Sequence, residues 1–499
     1  MPTRSNRLTA IVVPGSAAFL YFNLFTLRGV PFLLDGDQVY FWTYGMRMLH
    51  GERIYQDFFT TRPPGTSLFY SALFGCLGER VWVTNLAVLA LGVALCWLCF
   101  RIASRIMEGS FALLATALFL VLVYSKSLNG THHWFSVLAV MGTVAMIVPK
   151  VSFRRVVAAG GLLGAASFFT QTRGAFALFA FAAFLAWDWR LKNESWPELL
   201  RRQAVLLGSF VGVLAILSSY FLLTAGFWTL WYFQITYVRQ HLLQTEFLGL
   251  PEPLSWRRLP FLVRYLGVYA LLPIVYALSL SRCWRERRGR TIRNWGTVTL
   301  LSLTGFCLCL EVALDVNWLR VFAVAMPAII LLIWMLVEAP KLRRFAVVLA
   351  WLVVTCLGMA QIWLRQTRPA LAMDLPAGRA EVLPKTYEKL EWLAQRTKAE
   401  EFFFQAGWAS FYLPLHLRNP FFVDVLEDTA LTDANDVEVT VRQSETKQVR
   451  YILWPPRLNL PDTFYGPEQY HLAAFRDYLH SHYHLVQTFS DSDEIWEKN

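Results

Sequence analysis

The sequence predicts an all-α polytopic membrane bundle followed by a small C-terminal α/β domain. Of its 499 residues, 56% are hydrophobic. Apolar runs of roughly 17 to 25 residues recur along most of the chain, each long enough to cross about 30 Å of hydrocarbon. After residue 365 the composition changes. Apolar runs shorten, charge rises, and Asp, Glu, Pro and Asn recur, as in a water-facing domain.

About eleven spans are expected, near residues 9–27, 82–100, 110–125, 134–149, 155–170, 174–188, 203–225, 259–281, 295–314, 319–338 and 345–364. The connectors sort by charge. Arg101/Arg105, Lys150/Arg154/Arg155, Arg190/Lys192/Arg201/Arg202, the run RCWRERRGRTIR (282–293) and Lys341/Arg343/Arg344 fall on one side. The alternate turns carry single bases such as Lys126, Arg173 and Arg320. The positive-inside rule then puts the N-terminus in the cytoplasm, and the loops 28–81 and 226–258 and everything after residue 365 outside. Residues 1–364 read as a membrane domain with an interfacial outer loop, and 365–499 as an extracytoplasmic domain. The net charge of +11 lies mostly in the cytoplasmic clusters, so it speaks for membrane topology and against nucleic-acid binding. No small-residue cleavage site clearly follows the first span, which reads as an uncleaved helix.

Cys96/Cys99 and Cys307/Cys309 lie inside spans with no His or further Cys beside them, so they read as buried small hydrophobes. Gly160, Gly161 and Gly164 in the fifth span suit close helix packing. In the C-terminal domain, helices are expected at 384–398 and 467–481 and strands at 400–406, 449–454 and 484–490. Their alternation points to an α/β fold.

The segment DGDQVYFWTYGMRMLHGERIYQDFFTTRPPG (35–65) lies between the first two spans. It carries acids (Asp35, Asp37, Asp57), bases (Arg47, Arg53, Arg62) and many aromatics. Charge that close to a bilayer is costly unless paired or wet, so the segment is a candidate site. A surface-lying amphipathic helix is expected from Gly36 onward, with Gln38, Thr43 and Arg47 on its polar stripe. Asp37 would stand near its start, where it can cap the helix and is also held ionised by free N–H groups. The loop 226–258 has the same aromatic, amphipathic character, with Arg239, His241, Glu246 and Arg257, and reads as a roof over the same cavity. His132 and His133, in the turn SLNGTHHWF, are assigned to the same side, and Asn129-Gly130-Thr131 matches a glycosylation tripeptide.

An outer site has no access to ATP or nucleotide sugars. Its activated substrate must already be in the bilayer, and a sugar on a polyprenyl phosphate fits. Moving that sugar needs a base for the acceptor's proton, which a carboxylate can be. It also needs a cation for the phosphate that gains charge as the glycosidic bond breaks. Asp37 or Asp35 can supply the first. Arg62, with Lys126, Arg173, Arg239 or Arg320 from other outer turns, can supply the second. Each arginine taken singly is more simply a snorkelling anchor.

Asp37, then Met48-Leu49-His50-Gly51, then Tyr55-Gln56-Asp57-Phe58, then Arg62-Pro63-Pro64 resembles the first outer loop of the GT-C glycosyltransferases. The likeness is to the bacterial branch related to protein O-mannosyltransferases and the lipid A aminoarabinose transferase. Asn317-Trp318-Leu319-Arg320, ahead of Pro327, is similar to that family's late outer turn. The resemblance implies a GT-C-like helical bundle with interfacial helices in the first outer loop and a cavity open to the periplasm of a bacterial inner membrane. It implies inverting transfer from a polyprenyl-phosphate sugar, held in membrane lipid, to a glycolipid, glycan or protein acceptor. Asp37 falls at the family's catalytic Asp, with Asp35 a competitor. Arg62 falls at the element that meets the lipid phosphate. Tyr55, Asp57, His132, His133, Arg239 and Arg320 are assigned to substrate binding. No cofactor is firmly implied, and use of a divalent metal stays open because Gln38 stands where the family pattern has Glu. A transporter or flippase for a lipid-linked sugar is the rival class, but it would carry broken, polar spans in paired repeats, and none shows here. A non-catalytic assembly subunit would look the same in sequence and is separated only by activity.

Overall fold

The computed structural model describes residues 4–148, 151–241, 263, 266–286, 295–313, 318–339, 343–427, 432–459 and 471–499. Lys150, Glu246, Arg257, Asn317 and Lys341 lie outside the described residues, as do parts of the basic run 282–293 and of the segments expected at 259–281 and 467–481. The chain forms two compact units.

The first unit holds the described residues of Met1–Leu24, Ala87–Ser219 and Leu248–Thr367. It is helical, and each expected span falls on a helix over its described residues. Across the described chain, eight helices are long and apolar enough to cross a membrane, from Val81–Ile106 to Arg343–Thr367. Leu8–Leu24 and His132–Ile147 are shorter apolar helices, and the fifth span is the helix Phe153–Phe169. Its glycines let another helix approach closely. A Cβ at Gly160 would stand 2.3 Å from the carbonyl oxygen of Leu206, and one at Gly164 would stand 2.4 Å from that of Phe210. Both partners lie on the helix Trp196–Ala225. Small residues at such a crossing replace the hydrophobic drive that lipid does not supply. Cys96, Cys99 and Cys309 are buried and unbridged.

The second unit holds the described residues of Phe25–Leu86, Tyr220–Phe247 and Arg368–Asn499. These are the three segments that the charge pattern assigns to one side. The expected helix after Gly36 runs Gln38–Leu49, but its environment differs from expectation. Gln38, Thr43 and Arg47 are all buried. The polar stripe meets partners within the unit instead of water, so this helix is a core element. A second helix, Gly65–Leu77, adds to the expected elements, because GTSLFYSALFGCL reads in sequence as the approach to the next span. Pro63-Pro64 stiffens the entry to it. The two helices pack through Trp42 and Tyr70, whose rings meet edge to face at 6.5 Å.

The C-terminal part contains six strands: β1 (Leu371–Met373), β2 (Ala380–Val382), β3 (Phe403–Gln405), β4 (Tyr451–Trp454), β5 (Tyr483–Thr488) and β6 (Glu494–Lys498). β1 and β2 form an antiparallel pair, and the main sheet has the order β3-β4-β6-β5. β3 and β4 run parallel, and β6 runs antiparallel to both β4 and β5. A parallel pair needs a long crossover, and here it includes the helix Ala434–Thr446. That helix starts with a reciprocal capping box between Asp433 and Asp436. The other helices are Pro384–Ala394 and Ala473–His482. Phe404, Phe421, Val437, Ile452, Trp454, Phe475 and Trp496 form the core between sheet and helices.

After Gly226 the chain is helical through Phe227–Trp231, a π-turn at Tyr232–Thr236, and Tyr237–His241. The rest of the expected roof, 242–258, lies outside the described residues. Phe233 stacks on Phe59 of the segment 35–65 with ring centroids 5.2 Å apart. Tyr237 donates its hydroxyl to Asp436 Oδ2 at 2.7 Å.

Candidate active site

The helix Gln38–Leu49 starts from a turn at Gly36, whose φ is +90° and whose carbonyl accepts from Val39 N–H at 3.0 Å. The turn separates two acids with different surroundings. Asp35 is exposed in area but fixed in place. Its Oδ1 accepts from Trp408 Nε1 at 2.8 Å and from Ser410 Oγ at 3.0 Å. Its carbonyl accepts from Gln38 Nε2 at 2.9 Å. Asp37 is half-buried at the N-cap position, yet its side chain makes no capping hydrogen bond. Among the described residues its carboxylate has no hydrogen-bond or ion-pair partner. An acid held this way has lone pairs free to accept a hydrogen bond.

Asp37 and Arg62 share a neighbour in Tyr40. Burial pushes the Tyr40 phenol far above its ordinary range, Glu427 and Tyr44 add to the rise, Arg62 opposes it and Asp37 adds to it. Arg62 is half-buried and makes no ion pair among the described residues. It lines a narrow cavity of about 70 Å³ with Tyr40, Tyr44, Thr60, Asp424 and Glu427. A carboxylate such as Asp37 can take a proton, and a guanidinium such as Arg62 can steady a developing anion.

Asp424 joins these residues although nothing in VDVLED marks it in the sequence. Burial pushes its carboxyl up to about 7, against the pull of Arg47. Arg47 Nη1 donates to Asp424 Oδ1 and to the carbonyl of Phe421, the latter at 2.9 Å. The same guanidinium meets Glu52 at 2.7 Å and lies 4.4 Å from the Phe58 ring centre. These contacts fix the helix Gln38–Leu49 to the segment 421–424.

Tyr55 and Asp57 shape the loop. Tyr55 is buried with φ +71°. Its hydroxyl donates to the carbonyl of Arg62 at 2.9 Å and accepts from Gln234 Nε2 at 3.0 Å. Asp57 is exposed, and its Oδ2 accepts from Arg53 N–H at 2.7 Å. Arg239 is exposed on the helix Tyr237–His241.

His132, His133 and Arg320 lie in the first unit. The two histidine rings stand with centroids 3.9 Å apart at the start of the helix His132–Ile147. Arg173 is fully buried beside them. Its Nη1 meets His133 Nδ1 at 3.2 Å, the His133 carbonyl at 3.1 Å and Ser136 Oγ at 3.1 Å. Its Nη2 pairs with Glu311 Oε2 at 3.1 Å, and Thr172 Oγ1 donates to Glu311 Oε1 at 3.1 Å. Arg173 is thus committed to protein partners. Glu311 carries a signal that the sequence does display, since a lone acid inside an apolar span is unusual in itself.

Positions 37 and 38 offer one carboxylate and one amide, and the amide nitrogen of Gln38 donates to the Asp35 carbonyl at 2.9 Å. Among the described residues, no three His, Cys, Asp or Glu gather as a metal site.

No family model matches the chain, and no curated protein matches it. Solved structures do. ArnT from Cupriavidus metallidurans bound to undecaprenyl phosphate aligns with a TM-score of 0.59 at 12% identity, covering 98% of this chain and 97% of that one. The apo form of ArnT gives 0.57 over the same shares. The archaeal oligosaccharyltransferase AglB from Archaeoglobus fulgidus, in complex with an inhibitory peptide and a dolichol-phosphate, gives 0.55 at 12% identity, covering 98% of this chain and 74% of that one. At such identity the likeness concerns architecture alone: the chain shares the fold of the ArnT and AglB structures.

Proposed function

We propose that this chain is a multi-pass membrane glycosyltransferase that moves one sugar from a polyprenyl-phosphate donor to an extracytoplasmic acceptor, with inversion and with Asp37 as base. The observation that carries the reading is the contrast between the two acids: Asp35 is held by Trp408 and Ser410, while Asp37 has a carboxylate without a partner among the described residues. The fold likeness supports it, since ArnT is described with undecaprenyl phosphate and AglB with dolichol-phosphate.

In this mechanism Asp37 takes the proton from an acceptor hydroxyl as its oxygen attacks the anomeric carbon. The bond from that carbon to the phosphate oxygen breaks, and its electron pair leaves with the polyprenyl phosphate. Arg62 faces the charge that develops there. Tyr55 and Asp57 hold the loop that carries Arg62, and His132, His133, Arg239 and Arg320 are proposed for substrate binding. Residues 1–364 form the catalytic membrane domain of a bacterial inner-membrane protein, its N-terminus cytoplasmic. Residues 365–499 face the periplasm.

The test is purified protein in liposomes loaded with a labelled polyprenyl-phosphate sugar and an extract of envelope acceptors. Release of polyprenyl phosphate together with a product of inverted anomeric configuration is expected. Movement of intact donor between leaflets without sugar transfer would instead identify a flippase.

A further inference from the structure

We propose that the second unit carries a binding cleft for a neutral polyhydroxylated ligand, a short glycan, at the carboxyl ends of β3 and β4. The cleft has a volume of about 1190 Å³. Topology creates it. β3 and β4 are parallel, so their carboxyl ends open on the same edge. β6 runs antiparallel to β4 with Trp454 opposite Glu494, which brings the turn 491–493 to that edge as well. The helix Pro384–Ala394 begins there, with Lys385 and Thr386 on the wall. Crevices at the carboxyl ends of strands are the usual ligand sites of open α/β sheets.

The walls are rigidly built. Lys389 is buried and pairs with Asp491 at 2.6 Å and with Asp493. Arg457 Nη2 donates to the Gly407 carbonyl at 2.7 Å. Gly407 has φ +77°, and a Cβ there would stand 2.6 Å from that same nitrogen. The backbone conformation calls for glycine.

The charges indicate the ligand. Lys385, Lys389 and Arg457 are balanced by Asp35, Asp491 and Asp493 on the lining. A set of zero net charge gives little long-range attraction to either a phosphate or a cation, yet it offers donors and acceptors side by side, as hydroxyl groups require. Trp408 adds a half-buried aromatic surface against which the apolar face of a sugar ring can rest. The volume exceeds the range of about 300–1,000 Å³ typical of drug-sized ligands, so more than one ring fits. Where the transferase proposal also holds, this glycan is part of the acceptor. That assignment rests on the proposal; glycan binding does not.

The test is full-length protein in nanodiscs, without donor lipid, on an array of neutral oligosaccharides, anionic oligosaccharides and peptides. Retention on a neutral oligosaccharide is expected. Lys385→Ala should weaken it roughly tenfold, and Thr386→Trp, which fills the cleft from the helix start, should abolish it. Unchanged thermal melting is the folding control for both variants. Retention on no neutral glycan, retention only on anionic glycans or peptides, or binding unaffected by both folded variants would overturn the proposal. Because no donor is present, these outcomes are independent of whether sugar transfer occurs.

Discussion

Arg47→Met should loosen the second unit by a predictable amount. Arg47 and Asp424 have side chains only 6% and 4% exposed. Removing one partner of a buried ion pair costs roughly 3–5 kcal/mol, because the other charge stays buried. Two features place this case near the lower end. Glu52, the second acid at Arg47, keeps Arg418 at 3.2 Å. Asp424, already pushed up to about 7, takes up a proton at neutral pH once Arg47 is gone. A loss of about 3 kcal/mol lowers the melting temperature of a unit this size by about 6 to 12 °C. The assay is thermal melting of the detergent-solubilised protein, with hydrogen exchange of residues 38–59 and 421–424 as the local readout. Arg47→Met/Asp424→Leu should recover most of the loss, since removing both charges is often close to neutral. A shift below about 1 °C, with exchange unchanged, would refute the view that this pair fixes the helix Gln38–Leu49.

The raised Asp424 carboxyl binds an extra proton in the folded state between its ordinary range and about 7. Its contribution is therefore fully present below about pH 4 and is lost as pH rises through 7. Asp424→Asn should flatten that part of a plot of melting temperature against pH, and an unchanged slope would contradict it. The charge pattern of the connectors makes a separate prediction about topology. In cells whose exposed Cys76 and Cys356 are replaced, an impermeant thiol reagent added outside should label Asn435→Cys and spare Arg285→Cys; the reverse pattern would invert the topology.

Much of the architecture is legible in the sequence because lipid imposes a length and a charge rule that sequence displays directly. Each expected span falls on a helix over its described residues. The glycines at 160 and 164 reveal their packing role by spacing alone. What stays hidden depends on contacts distant in sequence. Gln38, Thr43 and Arg47 read as a water-facing stripe, but the partners of Arg47 include the segment 421–424, which no local pattern announces. β6 escapes notice because EIWEK is too short to show alternation. The motif favours Asp37 over Asp35, but the contacts that give the two acids different surroundings, Trp408 and Ser410, come from a distant part of the chain. Arg173 reads as available for a phosphate until Glu311 supplies its partner.

The central claim is tested most directly by the transfer rate of Asp37→Asn beside Asp35→Asn, measured in membranes with a polyprenyl-phosphate sugar and normalised to expression. Asn keeps the shape of Asp but cannot take the acceptor's proton. Asp37→Asn should lower the rate by roughly 10²–10⁴ with folding and donor binding nearly intact. Asp35→Asn should cost less, because an amide oxygen can still accept from Trp408 and Ser410. Full activity in Asp37→Asn with a dead Asp35→Asn would move the base to Asp35, and full activity in both would contradict the enzymatic account of this loop.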